Sequence, residues 1–193
     1  VGVPAAVVSG LADGSHTITA TVADAAGNPG TASHVVIVDT AAPVLTISTV
    51  AADDVINAME KGEALTVSGT SSGADGSTVT LNLNGKDYSA SVSGGAWTLN
   101  VPAADVAQLG EANYSLTAST VDAAGNTGST THGVLVDSAL PSVTLSAIAG
   151  DDIINAAEVA ADQTLSGRVT NAAAGDTVTV TLGGHTYQAE VQA

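Results

Sequence analysis

The sequence predicts an all-β protein built from antiparallel β-sandwich modules in tandem. The 193-residue chain has no Phe, one Trp, three Tyr and one Met, so its core must consist of small and β-branched side chains that suit thin sheet packings. Apolar and polar residues alternate along short segments that are separated by turn residues. One pattern of about one hundred residues also recurs along the chain.

The repeat becomes visible when TATVADAAGNPG, starting at residue 19, is placed beside TASTVDAAGNTG, starting at residue 117. Landmark residues recur at one interval: Asp24 as Asp122, Asp39 as Asp137, and Pro43 as Pro141. The acidic stretch AADDVINAME (51–60) returns as AGDDIINAAE (149–158), and after one inserted residue Tyr88 matches Tyr187. We therefore divide the chain into the C-terminal part of a first module (1–42), a complete module (43–140) and the N-terminal part of a third (141–193).

Alternating side chains predict seven short strands in the complete module. We expect them near 44–50, 64–70, 77–84, 87–92, 96–101, 113–121 and 129–136. Seven antiparallel strands in a module of this length are typical of an immunoglobulin-like sandwich, here without a disulfide because the chain has no Cys.

A few side chains have an expected place in such a sandwich. Trp97 should lie in the core, and the Tyr114 hydroxyl should bond back to upstream backbone as a tyrosine corner, a position that His16 takes in the first module. The only helix expected is a short turn at INAME or PAADVAQLG, with DDVIN supplying cap residues and Asp105 acting as a cap.

The charge balance excludes some functions. Three Lys and Arg residues face 19 Asp and Glu residues, a net charge of −16, and nucleic-acid binding depends on basic side chains that neutralise phosphates. Acidic membranes are disfavoured for the same reason, and no apolar run approaches the length of a membrane span. So much negative charge repels itself unless cations offset it.

The acidic residues fall into elements that strand parity brings to the ends of a module. The first and last of seven strands run in the same direction, so the loop after the first strand lies where the chain leaves the module. The DAAGN hairpin lies at the opposite end. Every junction should then gather an acidic loop, a linker Asp and a hairpin Asp. Carboxylate and amide oxygens suit calcium, whereas the lack of Cys and of paired His argues against zinc.

We expect calcium ligands at each junction. Between the second and third modules they are Asp53, Asp54, Asn57, Glu60 and Asp137. Between the first and second modules they are Asp39 and Asp122. The third loop offers Asp151, Asp152, Asn155 and Glu158, which would meet Asp39 and Asp122 only of another chain end, and Asp24 should face a preceding module.

A simpler reading of the acidic loops is open. Asp and Asn in loops usually make Asx turns or helix caps and bind nothing, and DAAGN is a plausible turn by composition alone. Recurrence in register, at one end of each module, favours the metal. The loop is not an EF-hand, because the D-x-D-x-D-G spacing is absent.

No pattern supports catalysis, and we expect no enzyme. The four histidines have no Cys or second His spaced to join them, so His34 and His132 should be solvent-facing strand residues, and no G-x-S-x-G elbow occurs. A rival function is a ligand-binding module that recognises a host glycan or protein directly. It would need an exposed aromatic patch, and the aromatic content is 2%.

The two ends of the chain hold incomplete modules. Residues 1 to about 40 supply only the last strands of a module, and residues 141–193 supply only its first ones. We expect the chain to be a piece of a longer array. The head of one chain could complete the tail of another by strand complementation, so that open sheet edges are covered.

Three stretches occur in series: VDAAGNTG, VLVDSALPSVTLS and AGDDIINAAE. This ordered trio resembles the bacterial immunoglobulin-like repeats of giant RTX-type adhesins and biofilm-associated proteins that are exported by type I secretion. The resemblance implies extracellular extender modules on the bacterial cell surface, rigidified by Ca²⁺ at their junctions, with the acidic residues above as ligands. It implies a role in adhesion and biofilm formation, in which the filament projects a terminal binding domain.

Overall fold

The structure, a computed structural model that describes residues 1–193, is all-β. Strands make up 47% of the chain and helix 7%, as the alternation predicted. The chain divides into two compact units, Val1–Val136 and Asp137–Ala193. No helix has the length and apolar character needed to span a membrane. The division into three modules stays a prediction.

The first unit begins with a short helix and a long hairpin. Helix α1 (Ala5–Val8) precedes strands β1 (Gly14–Ala23) and β2 (Pro29–Val38), which pair antiparallel along their full length. The DAAGN turn joins them, as expected. Nearly every residue of the two strands is exposed, so this hairpin has no sheet packed against it.

The rest of the first unit forms a sandwich. Its elements are β3 (Val44–Leu45), β4 (Val55–Ile56), a 3₁₀ turn (Glu60–Gly62), β5 (Leu65–Ser72), β6 (Thr78–Leu83), β7 (Lys86–Ser91), β8 (Ala96–Val101), α2 (Ala103–Val106), β9 (Ala112–Val121) and β10 (Thr127–Val136). All seven predicted strands are present, and β4 is an addition. The first predicted strand is regular only at Val44–Leu45, although Thr46 and Ser48 still donate backbone hydrogen bonds to β5.

Two sheets enclose the core. One has the strand order β4-β10-β9-β6-β7 and the other has the order β3-β5-β8. Burial alternates along β5 and β8, because successive side chains of a strand point to opposite faces. Trp97 is 3% exposed and donates its indole N–H to the carbonyl oxygen of Thr70, so the prediction of a core tryptophan is confirmed. The architecture is an immunoglobulin-like sandwich.

The predicted tyrosine corner is present. The backbone N–H of Gly110 donates to the Tyr114 hydroxyl oxygen at 2.9 Å. In the first module the His16 ring takes the same place and donates from Nε2 to the carbonyl oxygen of Ala12 at 2.7 Å. Different side chains therefore bond to the equivalent upstream position before β9 and before β1, Tyr114 to its N–H group and His16 to its carbonyl oxygen.

The expectation that Asp105 caps a helix is wrong. Pro102 is the N-cap of α2 and no side chain bonds there. The Asp105 carboxylate instead pairs with the Lys86 ammonium group and accepts a hydrogen bond from the Tyr88 hydroxyl at 2.9 Å. Burial, and then the hydrogen bond to Asp105, raises the pKa of Tyr88 to about 12. The partners come from β7, which lies far away in sequence.

The second unit contains two separate two-stranded antiparallel sheets. Strands β11 (Ser142–Leu145) and β12 (Gly167–Thr170) form the first, and a long connection with a 3₁₀ turn (Glu158–Ala160) joins them. Strands β13 (Thr177–Leu182) and β14 (His185–Glu190) form the second, which is a hairpin. The apolar side chains of these strands are largely exposed, among them Val143, Leu145, Leu182 and Tyr187.

One glycine of the sandwich marks a close approach between strands. A Cβ atom added to Gly128 would lie 2.0 Å from the carbonyl oxygen of Pro43, which no real side chain tolerates. Gly133 lies on the same strand, and a Cβ atom there would meet nothing within 4 Å. Gly128 therefore lets the start of β3 lie against β10.

We expect Gly128→Ala to destabilise the sandwich by about 1–3 kcal/mol, because the added methyl group must push β3 away from β10. Urea unfolding followed by Trp97 fluorescence measures the change. Gly133→Ala is the matched control and should unfold like the unsubstituted protein. Equal midpoints for the two variants would contradict the predicted close approach.

Candidate metal site

The acidic loop is attached to the last strand of the sandwich. Strand β4 runs parallel to the end of β10, with Val55 opposite Leu135 and Ile56 opposite Val136. The backbone N–H of Leu135 donates to the carbonyl oxygen of Asp54 at 2.9 Å. The loop therefore lies at the end where the chain leaves β10, as strand parity predicted.

The DAAGN hairpin lies at the opposite end of the sandwich, where the chain enters. The Asn126 side chain donates from Nδ2 to the backbone carbonyl oxygen of Asp39 at 3.1 Å. The backbone of Asp39 therefore lies beside the hairpin that carries Asp122, and the role of the two aspartates at a junction stays a prediction.

Hydrogen bonds to carboxylates hold the acidic loop in its shape. Three of its residues have positive φ, namely Ala51 (53°), Ala52 (74°) and Asp54 (65°). Such φ values are uncommon for residues with a side chain and need local support. The support comes from Asp54 Oδ1, which accepts the Val50 N–H at 2.7 Å, and from Asp53 Oδ1, which accepts the Val55 N–H at 3.1 Å.

The second half of the motif, Asn57 and Glu60, forms a capping box. Asn57 Oδ1 accepts the backbone N–H groups of Met59 and Glu60 at 2.9 and 3.2 Å. Glu60 Oε2 accepts the backbone N–H of Asn57 at 3.0 Å. This reciprocal pair satisfies the free N–H groups at the start of the 3₁₀ turn.

The third loop repeats this arrangement in the second unit. Asp152 has φ 61° and its Oδ1 accepts the Ile148 N–H at 2.9 Å, while Asp151 Oδ1 accepts the Ile153 N–H at 3.0 Å. Asn155 and Glu158 form the same capping box. The second unit has no complete sandwich, so the loop takes this shape from its own sequence.

A histidine contact to the loop was missed by the sequence reading. His132 Nε2 on β10 bonds Asp54 Oδ1 at 2.7 Å, and the ring is half-buried, so the expectation of a solvent-facing residue is wrong for His132. This hydrogen bond is the main reason that the pKa of Asp54 is lowered. The only signal in the sequence was the recurrence of a histidine at His34, which is exposed here.

The hairpin aspartates are committed to their own turns. Asp122 is 8% exposed, and its Oδ1 accepts the N–H groups of Ala124 and Asn126 while its Oδ2 accepts Asn126 Nδ2. Asp24 accepts the equivalent three hydrogen bonds. The asparagine side chain is the first cause that lowers the pKa of both carboxyl groups. Each hairpin is thus an Asx-type turn built around an ionised carboxylate.

The loop oxygen atoms are of the type that a hard cation such as calcium prefers, but too few of them lie close together to surround one ion. In Asp53, Asp54 and Glu60 the hydrogen bonds all go to one carboxylate oxygen, which leaves the other oxygen available. No group of three or more His, Cys, Asp or Glu side chains lies close enough to hold an ion. Because calcium takes 6–8 oxygen ligands, these loops could supply only part of its coordination.

The fold defines a class of protein, the immunoglobulin-like β-sandwich. Among solved structures, the chain is similar to a 1.5-MDa bacterial ice-binding adhesin retained on the host cell surface, at 34% identity. That match covers 96% of this chain and 62% of that chain, with a TM-score of 0.52. The chain belongs to the bacterial immunoglobulin-like repeats of large adhesins. The solved structures that it matches are adhesin domains and not enzymes.

Two further solved structures are similar in sequence. One is a Ca²⁺-stabilized adhesin with which an Antarctic bacterium binds ice, at 37% identity over 94% of this chain and 46% of that chain, with a TM-score of 0.47. The other is an immunoglobulin-like domain of the M. primoryensis ice-binding adhesin, at 37% identity over 50% of this chain and 98% of that chain, with a TM-score of 0.39.

The chain thus spans 46% and 62% of the two longer adhesin structures that it matches. No protein-family model and no curated protein sequence matches it.

We expect Asp122 to stabilise the sandwich in a pH-dependent manner. Its folded pKa is below the ordinary value of 3.8, so its contribution is complete above that pH and is lost as the pH falls through the lower folded value. Asp122→Asn should therefore lower the melting temperature at pH 7, in the presence of a chelator, and the difference should shrink below about pH 4.

Thermal melts between pH 7 and pH 2.5 check this, with Asp162→Asn at an exposed position as the control. A deficit of Asp122→Asn that is the same at every pH would show that the charge is not what the turn needs.

Proposed function

We propose that this chain is a run of extender modules from a bacterial cell-surface adhesin, in which Ca²⁺ at the module junctions makes the array stiff. The observation that carries the proposal is that the acidic loop is attached to β10, the strand from which the chain leaves the sandwich. Strand β4 pairs with β10, and the Asp54 carbonyl oxygen accepts a hydrogen bond from it. An ion held by this loop would be fixed to the strand that leads into the next module. Its position would then control the direction of the chain at the junction.

The ligands proposed are the acidic and amide groups at each junction. Asp53, Asp54, Asn57 and Glu60 would act with Asp137, which directly follows β10 in the chain. Asp39 and Asp122 would serve the preceding junction. The third loop and Asp24 would serve the junctions at the two ends: Asp151, Asp152, Asn155, Glu158 and Asp24.

Two features support calcium as the ion. The loop is already held in shape by its own hydrogen bonds, so less conformational entropy would be lost when the ion binds. The donors are hard oxygen atoms, which calcium prefers. Extracellular modules typically bind calcium in the range of ~0.1 to 1 mM, so the junctions would be loose where calcium is scarce and stiff outside the cell.

The stiffening follows from electrostatics. A chain with 19 acidic and 3 basic residues repels itself, and modules that meet at acidic ends would turn away from each other. A divalent ion offsets part of this negative charge, because carboxylates on both sides become ligands of one cation. The array would then extend by roughly 30–40 Å per module, since ten-residue strands rise ~3.3 Å per residue.

The proposal places the protein outside a bacterial cell, after export by type I secretion. There the array would project a terminal binding domain and contribute to adhesion and biofilm formation. Its partners would be the neighbouring modules of the same chain. A second partner would be another copy of the chain, paired head to tail.

Direct recognition of a glycan or host protein has less support. Such a site would need exposed aromatic side chains, and Trp97 lies in the core while Tyr88 and Tyr114 are half-buried against it. Tyr187 is exposed, but it is a single residue in a hairpin. The described residues therefore contain no aromatic patch that could serve as a sugar platform.

Calcium titration calorimetry tests the ligand set. The unsubstituted protein should bind Ca²⁺ in the range of ~0.1 to 1 mM, and Asp137→Ala should bind at the second junction about tenfold more weakly, because one charged ligand is lost. Asp162→Ala, which removes an exposed acid outside the proposed sites, is the matched control. Identical isotherms for Asp137→Ala and the unsubstituted protein would remove Asp137 from the site.

Small-angle scattering tests the stiffening. With Ca²⁺ present, the particle should have a larger maximum dimension than with a chelator, and its melting temperature should be higher because the ion binds only the folded junction. Mg²⁺ at the same concentration is the ionic-strength control. A scattering profile that does not change on chelation would contradict the proposal.

A further inference from the structure

We propose that Asp13, Thr40 and Asn126 form a clamp that holds the linker between the first and second modules independently of any metal ion. The linker consists of residues 39–42, which follow β2 and precede Pro43. Every contact of the clamp lies within the first compact unit. The inference rests on the extender function proposed above and names the residues that position one of its junctions.

The first module holds the linker through Asp13. This residue directly precedes β1, whose first residue, Gly14, pairs with Val38 at the end of β2. Asp13 Oδ1 accepts two hydrogen bonds from Thr40, one from the backbone N–H and one from the hydroxyl group, both at 2.9 Å. The two residues are 27 positions apart, so these bonds do not belong to a local turn. Hydrogen bonds to a carboxylate are stronger than those between neutral groups.

The second module holds the same linker through Asn126. Its side-chain amide donates from Nδ2 to the backbone carbonyl oxygen of Asp39 at 3.1 Å. The linker is also turned by its own side chain, because Asp39 Oδ1 accepts the Ala41 N–H at 3.2 Å. Two modules and one internal bond therefore act on a segment of four residues.

The contacts from the two modules meet on a single peptide unit. The carbonyl group of Asp39 and the N–H group of Thr40 are joined by one peptide bond, which is trans and planar. The second module bonds one side of this unit and the first module bonds the opposite side. No rotatable backbone bond separates the two contacts, so rotation about φ or ψ cannot change the angle between them. The clamp thus restricts the direction in which the chain passes from one module to the next.

The residue types of the clamp recur at the second junction. In the repeat Asp13 corresponds to Glu111, and each of these acids directly precedes a strand, β1 or β9. Thr40 corresponds to Ser138, so a hydroxyl residue again follows the linker aspartate. The recurrence of an acid and a hydroxyl group at matching positions indicates that the pair belongs to the repeat.

The clamp would prepare the junction for calcium. Asp39 is one of the proposed ligands, and its Oδ1 is occupied by the Ala41 N–H, which leaves Oδ2 for an ion. Because the backbone at Asp39 is already held, less conformational entropy would be lost when the carboxylate binds. Calcium would then narrow a range of orientations that the clamp has already restricted.

Double electron–electron resonance in a chelating buffer tests the clamp. Thr31→Cys on β2 and Thr98→Cys on β8, both at exposed positions, would carry spin labels on the first and second modules. Asp13→Ala should broaden the distribution of distances between the labels, because the first module loses its bonds to the peptide unit. Asp13→Asn keeps an acceptor oxygen and should give a distribution close to that of the unsubstituted chain.

Two results would overturn the proposal. One is a distribution of equal width for Asp13→Ala and the unsubstituted chain. The other is a distribution for Asp13→Asn that is as broad as that for Asp13→Ala, since the acceptor oxygen would then not be what matters.

A matched pair of variants tests Asn126. Asn126→Ala removes the donor to Asp39 together with a bond to Asp122 inside the DAAGN turn. Asn28→Ala removes the equivalent turn bond, to Asp24, at a hairpin that does not contact the linker. Asn126→Ala should broaden the distribution and Asn28→Ala should leave it unchanged. Equal broadening by both variants would show that the turn is responsible and would remove Asn126 from the clamp.

Amide hydrogen exchange reports the clamp and the hairpin separately. In Asp13→Ala the Thr40 amide should exchange about tenfold faster, because its hydrogen-bond acceptor is lost. The amides of β1 and β2 should keep their exchange rates. Broadening that appears only together with faster exchange along the hairpin would overturn the clamp, because unfolding of the hairpin would explain it.

The clamp and calcium stiffening are tested separately. The clamp is measured with a chelator present, whereas stiffening is the change that Ca²⁺ produces. Either proposal can therefore fail while the other succeeds.

Discussion

The short parallel pairing of β4 with the end of β10 is the contact on which the functional account depends. Asp54 is its centre, because its carbonyl oxygen accepts the Leu135 N–H while its carboxylate accepts Val50 and His132. These bonds connect the acidic loop to the strand that leaves the module. Without them the loop would be an ordinary surface turn, and an ion bound to it would have no mechanical link to the next module.

The acidic residues have a structural role whether or not a metal binds. Their carboxylates support backbone with positive φ, close capping boxes and build the DAAGN turns. The turn reading and the metal reading are therefore compatible, because the hydrogen bonds of Asp53, Asp54 and Glu60 leave one oxygen of each available. The same preorganisation would lower the entropic cost of gathering ligands around a cation.

The strands and the core residues could be predicted from the sequence because they follow local patterns of side chains. The roles of Asp105 and His132 could not, because they depend on partners that are distant along the chain. Alternation and turn residues located the strands, and the expected immunoglobulin-like sandwich placed Trp97 in the core and Tyr114 at the corner. Asp105 was misread because its partners are on β7, and the His132 contact with Asp54 spans 78 positions, which no local pattern encodes. The sequence pattern also could not show whether the acidic loops are turns that bind nothing or calcium sites, since both use carboxylate oxygen atoms.

The most direct test of the account measures the junction itself. The chain has no Cys, so Thr98→Cys and Thr186→Cys, both at exposed positions, would carry spin labels on the second and third modules alone. Double electron–electron resonance then reports the distribution of distances between them. The account predicts a narrow distribution with saturating Ca²⁺ and a broad one with a chelator. Distributions of equal width under the two conditions would contradict it.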